Sequence, residues 1–127
     1  SAQGLKISYV PQDTSWLTGY LKEFVRNYGL DETLFLTLLR KMDFSREQFE
    51  KPMQAYSSGQ KKKVLLAKSL CQQAHLYVWD EPLNYIDIFS RMQIENLIKD
   101  ICPTMIIVEH DRRFLDNVAD SILSLDF

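Results

Sequence analysis

Leu76-Tyr77-Val78-Trp79-Asp80-Glu81 passes without a break from four apolar residues to two carboxylates. A run this short and apolar reads as a strand buried on both faces, as parallel strands are. Met105-Ile106-Ile107-Val108, followed by Glu109-His110-Asp111, repeats the pattern. Between them, residues 88–101 read as an amphipathic helix with Phe89, Met92, Leu97, Ile98 and Ile101 inward, ended by Pro103. Before them, Ser58 is placed to cap a long helix from Gln60 to Gln73, with Val64, Ala67, Leu70 and Cys71 inward. Strands alternating with helices predict an α/β fold with a parallel, helix-covered sheet. Ligands of such sheets bind beyond the carboxyl ends of the strands, so Asp80, Glu81 and His110 are expected to line one crevice.

Further out, Leu5 to Val10 alternates apolar and polar residues and reads as a half-buried strand stopped by Pro11. Thr14 or Ser15 is expected to cap a helix carrying Leu17, Leu21, Phe24 and Tyr28 and ending at Gly29. Asp31 then caps a second helix, with Leu34, Leu38 or Leu39, and Met42 as its apolar face, and Ser45 to Phe49 forms a short third. Residues 16–56 therefore read as all-helical. Past the second buried strand, Asp111 to Val118 reads as a helix and Ser121 to Leu125 as a last strand. Tyr9, Trp16, Trp79, Phe114 and Leu115 are expected in packed positions, and Lys61-Lys62-Lys63 on a solvated helix face.

The 127 residues are 46% hydrophobic and 25% charged, as in an ordinary globular protein, and the net charge of −2 leaves no basic footprint for nucleic acid. No apolar run approaches the ~20 residues of a membrane span, and no secretory leader is visible. Cys71 and Cys102 lie outside any Cys/His cluster, which predicts reduced, buried thiols rather than a metal site. A start at Ser1-Ala2 rather than Met is expected of a processed chain or an excised piece.

An apolar strand ending in Asp80-Glu81 resembles a Walker B motif, in which the Asp helps hold magnesium and the Glu orients the attacking water. Such a site needs a phosphate cradle, usually GxxxxGK[ST]. None of the four glycines, Gly4, Gly19, Gly29 and Gly59, begins that pattern. Four further elements fall in one order with the Walker B. Val10-Pro11-Gln12 resembles the Q-loop of ABC ATPases, and Tyr56-Ser57-Ser58-Gly59-Gln60 resembles their signature motif, with Ser58 where Gly is usual. Pro82-Leu83-Asn84-Tyr85-Ile86-Asp87 resembles the D-loop, and His110 the switch histidine. The run His110-Asp111-Arg112-Arg113-Phe114-Leu115-Asp116 resembles the HDRxFLD run of the ABC-F branch. Ser57 to Val64 and Asp80 to Asp87 resemble the second ATPase domain of its antibiotic-resistance proteins, which act on the ribosome.

The resemblance implies a partial P-loop NTPase domain: a parallel sheet core, an inserted helical subdomain and no phosphate-loop strand. Its divisions are a Q-loop strand at 5–15, a helical subdomain at 16–56, and the signature, Walker B, D-loop and H-loop half at 57–127. It implies ATP and Mg2+ as cofactors. Glu81 and His110 are the implied catalytic residues, and Asp80 with Gln12 the implied metal ligands. Gln12, Ser57, Ser58, Gly59, Gln60 and Asp87 are implied in nucleotide binding, the signature residues acting in trans. The implied partners are the other ATPase domain of a parent chain and the ribosome, in the cytoplasm and without membrane insertion. A transporter's ATPase subunit and a non-catalytic half-site module are the alternatives. The piece alone is expected to be inactive. The missing strand is expected between residues 105–108 and the last strand. Residues 121–125 would then pair across the gap or with a second molecule, since open edges invite association.

Overall fold

The computed structural model describes residues 4–120. Strand β1, Ile7–Val10, opens the chain and stops at Pro11, which has no N–H to give to a ladder. The chain then turns on itself. Asp13 Oδ1 accepts from the Ser15 N–H (3.0 Å) and Ser15 Oγ (2.7 Å), an Asx-type turn. That turn uses up the residues expected to cap a helix at 14–15, so α1 starts later, at Leu21–Tyr28. Gly29 ends it in the left-handed conformation, φ 61°, returning its N–H to the Arg26 and Val25 carbonyls. Asp31 caps α2, Glu32–Lys41, accepting from the Leu34 N–H at 3.1 Å. Ser45 and Gln48 form a reciprocal capping box on α3, Arg46–Phe49, and a 3₁₀ turn follows at Met53–Ala55.

The long helix α4, Ser58–Cys71, is capped by Ser57 rather than Ser58, again through a capping box, here with Gln60. Strand β2, Leu76–Asp80, helix α5, Ile88–Ile101, strand β3, Met105–Val108, and helix α6, Arg112–Val118, complete the described chain. The expected strand at 121–125, its pairing and any second-copy contact there lie outside the described residues. The sheet is parallel, in the order β1-β2-β3. Val10 pairs with Trp79 and Trp79 with Ile107.

Strand order explains which sheet face is covered. Both crossovers step in the same direction, and right-handed connections therefore place α4 and α5 on one side. On that side Ser8, Val10, Tyr77 and Trp79 are buried. Ser69 of α4 ties the layers together: its Oγ lies 2.7 Å from Ser8 Oγ and accepts from Trp79 Nε1 at 2.9 Å. On the other side Ile7, Tyr9, Ile106 and Val108 are exposed. Strands buried on both faces were expected, and the described helices cover only one. Tyr9 accordingly leaves the core, and Trp16 is also exposed, its indole N–H donating to the Asp13 carbonyl at 3.1 Å.

Two helix faces differ from their expected apolar stripes. In α2 the buried set is Phe35, Leu38 and Leu39, with Met42 just beyond, while Leu34 is exposed. In α5 it is Ser90, Ile94, Leu97 and Ile98, while Phe89, Met92 and Ile101 are exposed. Cys71 is only half-buried and Cys102 is exposed. Phe114 is buried and Leu115 packs against the core, as expected.

The α2 assignment is open to a direct check. Phe35→Ala should cost about 3–5 kcal/mol by cavity formation in a fully buried site. Leu34→Ala should stay within about 0.5 kcal/mol. Urea unfolding of both variants, with the larger loss at Leu34, would reverse the face assignment.

Candidate functional site

The matched register sets three loops at one level. Two residues past Val10, Trp79 and Ile107 stand Gln12, Glu81 and Glu109, with His110 next in line. Glu81 is the hub. Its Oε2 accepts from Gln12 Nε2 at 2.6 Å and from Asn84 Nδ2 at 3.0 Å. His110 Nε2 lies 3.1 Å from Glu81 Oε1, within hydrogen-bond reach, although the imidazole itself is 86% exposed. Hydrogen bonds from Asn84 first, then Gln12 and His110, hold the Glu81 carboxyl below the usual carboxylate range. It is therefore ionised at neutral pH and can only accept. Its backbone is also special: φ is +46°, and its N–H donates to the Val108 carbonyl at 2.7 Å.

Asp80 closes β2, paired with Val108, and its carboxylate has no hydrogen-bond or ion-pair partner among the described residues. Glu109, not singled out from the sequence, is committed to its own loop, accepting from the Leu83 N–H at 3.2 Å and the His110 N–H at 2.9 Å.

The signature segment begins α4. Ser57 Oγ accepts from the Gln60 N–H at 3.2 Å, and Gln60 Oε1 accepts from the Ser57 N–H at 2.9 Å. Gln60 thus serves the helix cap. Ser58 is exposed in the first turn, while Gly59 is buried against the D-loop. A Cβ at Gly59 would collide with the Tyr85 carbonyl oxygen, so the glycine is needed for that close approach. Asp87 caps α5 through the Ser90 N–H at 3.0 Å and pairs with Lys63 at 3.2 Å. Burial alone would raise its pKa. Hydrogen bonds from Ser90 and the Lys63 ammonium outweigh that and lower it to about 2.

Sequence reasoning missed the lysines. Lys62 and Lys63 are not on a solvated face: they are 1% and 8% exposed. Lys62 Nζ donates to the Pro11 carbonyl at 3.1 Å and the Gln12 carbonyl at 3.2 Å. Burial pushes its pKa down, and the carboxylates of Asp80, Glu81 and Glu109 push it back up. The signal for such a lysine would have been its place on the α4 face that carries Leu66 and Ser69.

The donor set bears on the metal question. The described residues contain no group of three or more His, Cys, Asp and Glu able to enclose an ion. A single unpartnered carboxylate, Asp80, at a strand end fits Mg2+ better, since that ion is held through one or two carboxylates and the phosphates of a nucleotide.

The comparisons with known proteins decide the family. A family profile described as "ABC transporter" matches residues 1–84. The chain belongs to the ABC ATPase family. It is 34% identical over 125 residues to the putative ATP-binding protein YdiF of Bacillus subtilis, covering 95% of this chain and 20% of YdiF. It is 36% identical over 95 residues to elongation factor 3 of Candida albicans, covering 75% of this chain and 9% of that protein. These relatives belong to the ABC-F branch, the branch that the HDRRFLD run resembles. The fold is also that of the RNase-L inhibitor, with a TM-score of 0.74 at 23% identity, over 94% of this chain and 25% of that one. The chain thus spans about a fifth of YdiF and less of elongation factor 3. It has the parallel sheet of an ABC ATPase domain, and its 127 residues contain no GxxxxGK[ST] sequence.

Asp87 gives this ABC ATPase domain a pH signature. Because its carboxyl titrates lower folded than unfolded, its stabilisation is full above pH about 4 and is lost as pH falls toward about 2. Its half-exposed side chain limits the contribution to roughly 1 kcal/mol. Urea unfolding at pH 6 and pH 3 should show a steeper acid loss for the wild type than for Asp87→Asn, and equal losses would discard the assignment.

Proposed function

We propose that this chain contributes the metal and water side of an ATP-hydrolysing site, within an ABC-F protein that works on the ribosome. The supporting observation is the convergence of Gln12, Asn84 and His110 on the ionised carboxylate of Glu81 at the strand ends. ABC ATPase domains in general bind ATP with Mg2+. Asp80, with the Gln12 amide, would hold that ion, which would neutralise charge on the nucleotide's phosphates.

Each remaining residue has a task suited to its chemistry. Glu81 is fixed at both oxygens, so it accepts a proton or a hydrogen bond from water in one direction. Gln12 and Asn84 keep it charged and oriented. The His110 imidazole is largely exposed, and turning a ring N–H toward a terminal phosphate would exchange its contact with Glu81 Oε1 for one to the nucleotide. Ser57, Ser58 and Gly59 start α4, where exposed N–H groups and the helix dipole favour an anion. Gln60 keeps that cap in shape, and Asp87 holds the D-loop beside it. The nucleotide at this end is one bound by an opposite ATPase domain. We also propose the division at 5–15, 16–56 and 57–127, on the resemblance of the motifs it separates. The sequence holds no phosphate cradle, so the chain alone is proposed not to hydrolyse ATP.

The ribosomal part of the reading is supported by elongation factor 3, whose name places it in translation. Protection of ribosomes against antibiotics is the narrower reading, carried by the likeness of Ser57 to Val64 and Asp80 to Asp87 to that branch. Among the described residues no helix is long and apolar enough to cross a membrane. Work on the ribosome implies a cytoplasmic setting.

The test uses the full natural protein that carries this sequence. Glu81→Gln should lower magnesium-dependent ATP hydrolysis by about 100-fold or more. With the matching change in the other ATPase domain, the protein should then co-sediment with ribosomes when ATP is added. Retained hydrolysis would remove Glu81 from its role. ATP binding without co-sedimentation would replace the ribosome with a membrane partner.

A further inference from the structure

Lys62 and Lys63 are neighbours in sequence, yet they serve different loops. Successive helical residues point about 100° apart, given 3.6 residues per turn. From α4, Lys63 reaches the D-loop at Asp87, and Lys62 reaches the loop after β1. Burying an ammonium is costly unless it is bonded, and an unbranched apolar side chain would fill the same space without that cost. What the ammonium adds is two charge-assisted hydrogen bonds to successive carbonyls, Pro11 and Gln12. Two anchors one peptide apart fix the orientation of that peptide. From it departs the Gln12 side chain, whose amide reaches Glu81 Oε2 at 2.6 Å.

We propose that Lys62 is a positioning residue for hydrolysis: it fixes the backbone that presents the Gln12 amide to Glu81, and so joins α4 to the water site of its own domain. The inference rests on the ATPase reading above. It adds that a residue two positions past the signature motif acts on the same-domain site, through the Q-loop backbone rather than by touching nucleotide. Lys62 is placed for this and not for nucleotide contact, since its ammonium lies under the loop with almost no exposure.

The experiment compares wild type, Lys62→Met, Lys62→Arg and Glu81→Gln in the full natural protein, reading kcat, KM for ATP and backbone hydrogen exchange. Lys62→Met should lower kcat about tenfold with KM nearly unchanged, as expected for a misplaced catalytic group. Exchange should rise at residues 12–15 and stay level in α1 and α2. Lys62→Arg should recover part of kcat, because it keeps the charge and the donors. Unchanged kcat and unchanged exchange at 12–15 in Lys62→Met would overturn the proposal. So would equal losses in the Met and Arg variants, which would mean a packing role only. If Lys62→Met does not fold, Lys62→Gln gives the same comparison with a neutral donor. If Glu81→Gln hydrolyses like wild type, the ATPase reading fails, and exchange at 12–15 still decides whether Lys62 orders the loop.

Discussion

The shared level at which three parallel strands end is the constraint on which the site depends. Parallel pairing fixes register along each ladder, and here it aligns Val10, Trp79 and Ile107. A one-residue slip would turn every strand residue to the other face. Trp79 would lose its bond to Ser69, and Glu81 would move out of reach of Gln12 and His110. The buried serines and indole under the sheet are therefore part of the site's geometry. Ser8, Ser69 and Trp79 form a satisfied polar set that has one good register, whereas apolar packing alone would tolerate several.

Charge at this edge is handled unequally. Asp80, Glu81 and Glu109 come from adjacent strand ends, and their like charges repel. Glu109 is spent on two backbone N–H groups and Glu81 on three side chains. Asp80 alone keeps its oxygens uncommitted among the described residues. A buried ammonium at Lys62 offsets the group from below, and the negative edge persists toward solvent. The carboxylate left over is the one whose charge can go to an ion.

Much of this was legible in the sequence because it depends on short-range signals. Apolar runs of four residues located β2 and β3, Gly29 and Asp31 marked a helix end and start, and the stretch 88–101 matched α5 residue for residue. What failed required knowing what lies opposite. Period alone cannot choose between Leu34 and Phe35, adjacent on the helix, until the partner surface is known. Phe89 and Met92 make an apolar stripe as regular as Ile94, Leu97 and Ile98, and only the last three meet the core. Alternation along β1 marks a half-buried strand but not which face is covered: Ser8 and Val10 meet α4, and Tyr9 faces out. Three consecutive lysines resemble a solvated surface, yet α4 is packed on enough of its circumference to bury both Lys62 and Lys63.

The D-loop shows why neither half of the site can be adjusted alone. Asn84 donates to Glu81, the Tyr85 carbonyl abuts Gly59, and Asp87 pairs with Lys63 while capping α5. Three residues of one loop thus touch Glu81, the start of α4 and the next crossover helix. The loop pays for this in backbone strain, with Glu81 at φ 46° and Tyr85 at φ 67°, each costing on the order of 1–2 kcal/mol for a side-chain-bearing residue. Such conformations persist only where surrounding contacts over-determine them. Relaxing Tyr85 would withdraw its carbonyl from Gly59 and drag Asn84 off Glu81. The signature helix and Glu81 thus share one strained loop, which holds both through contacts at its two ends.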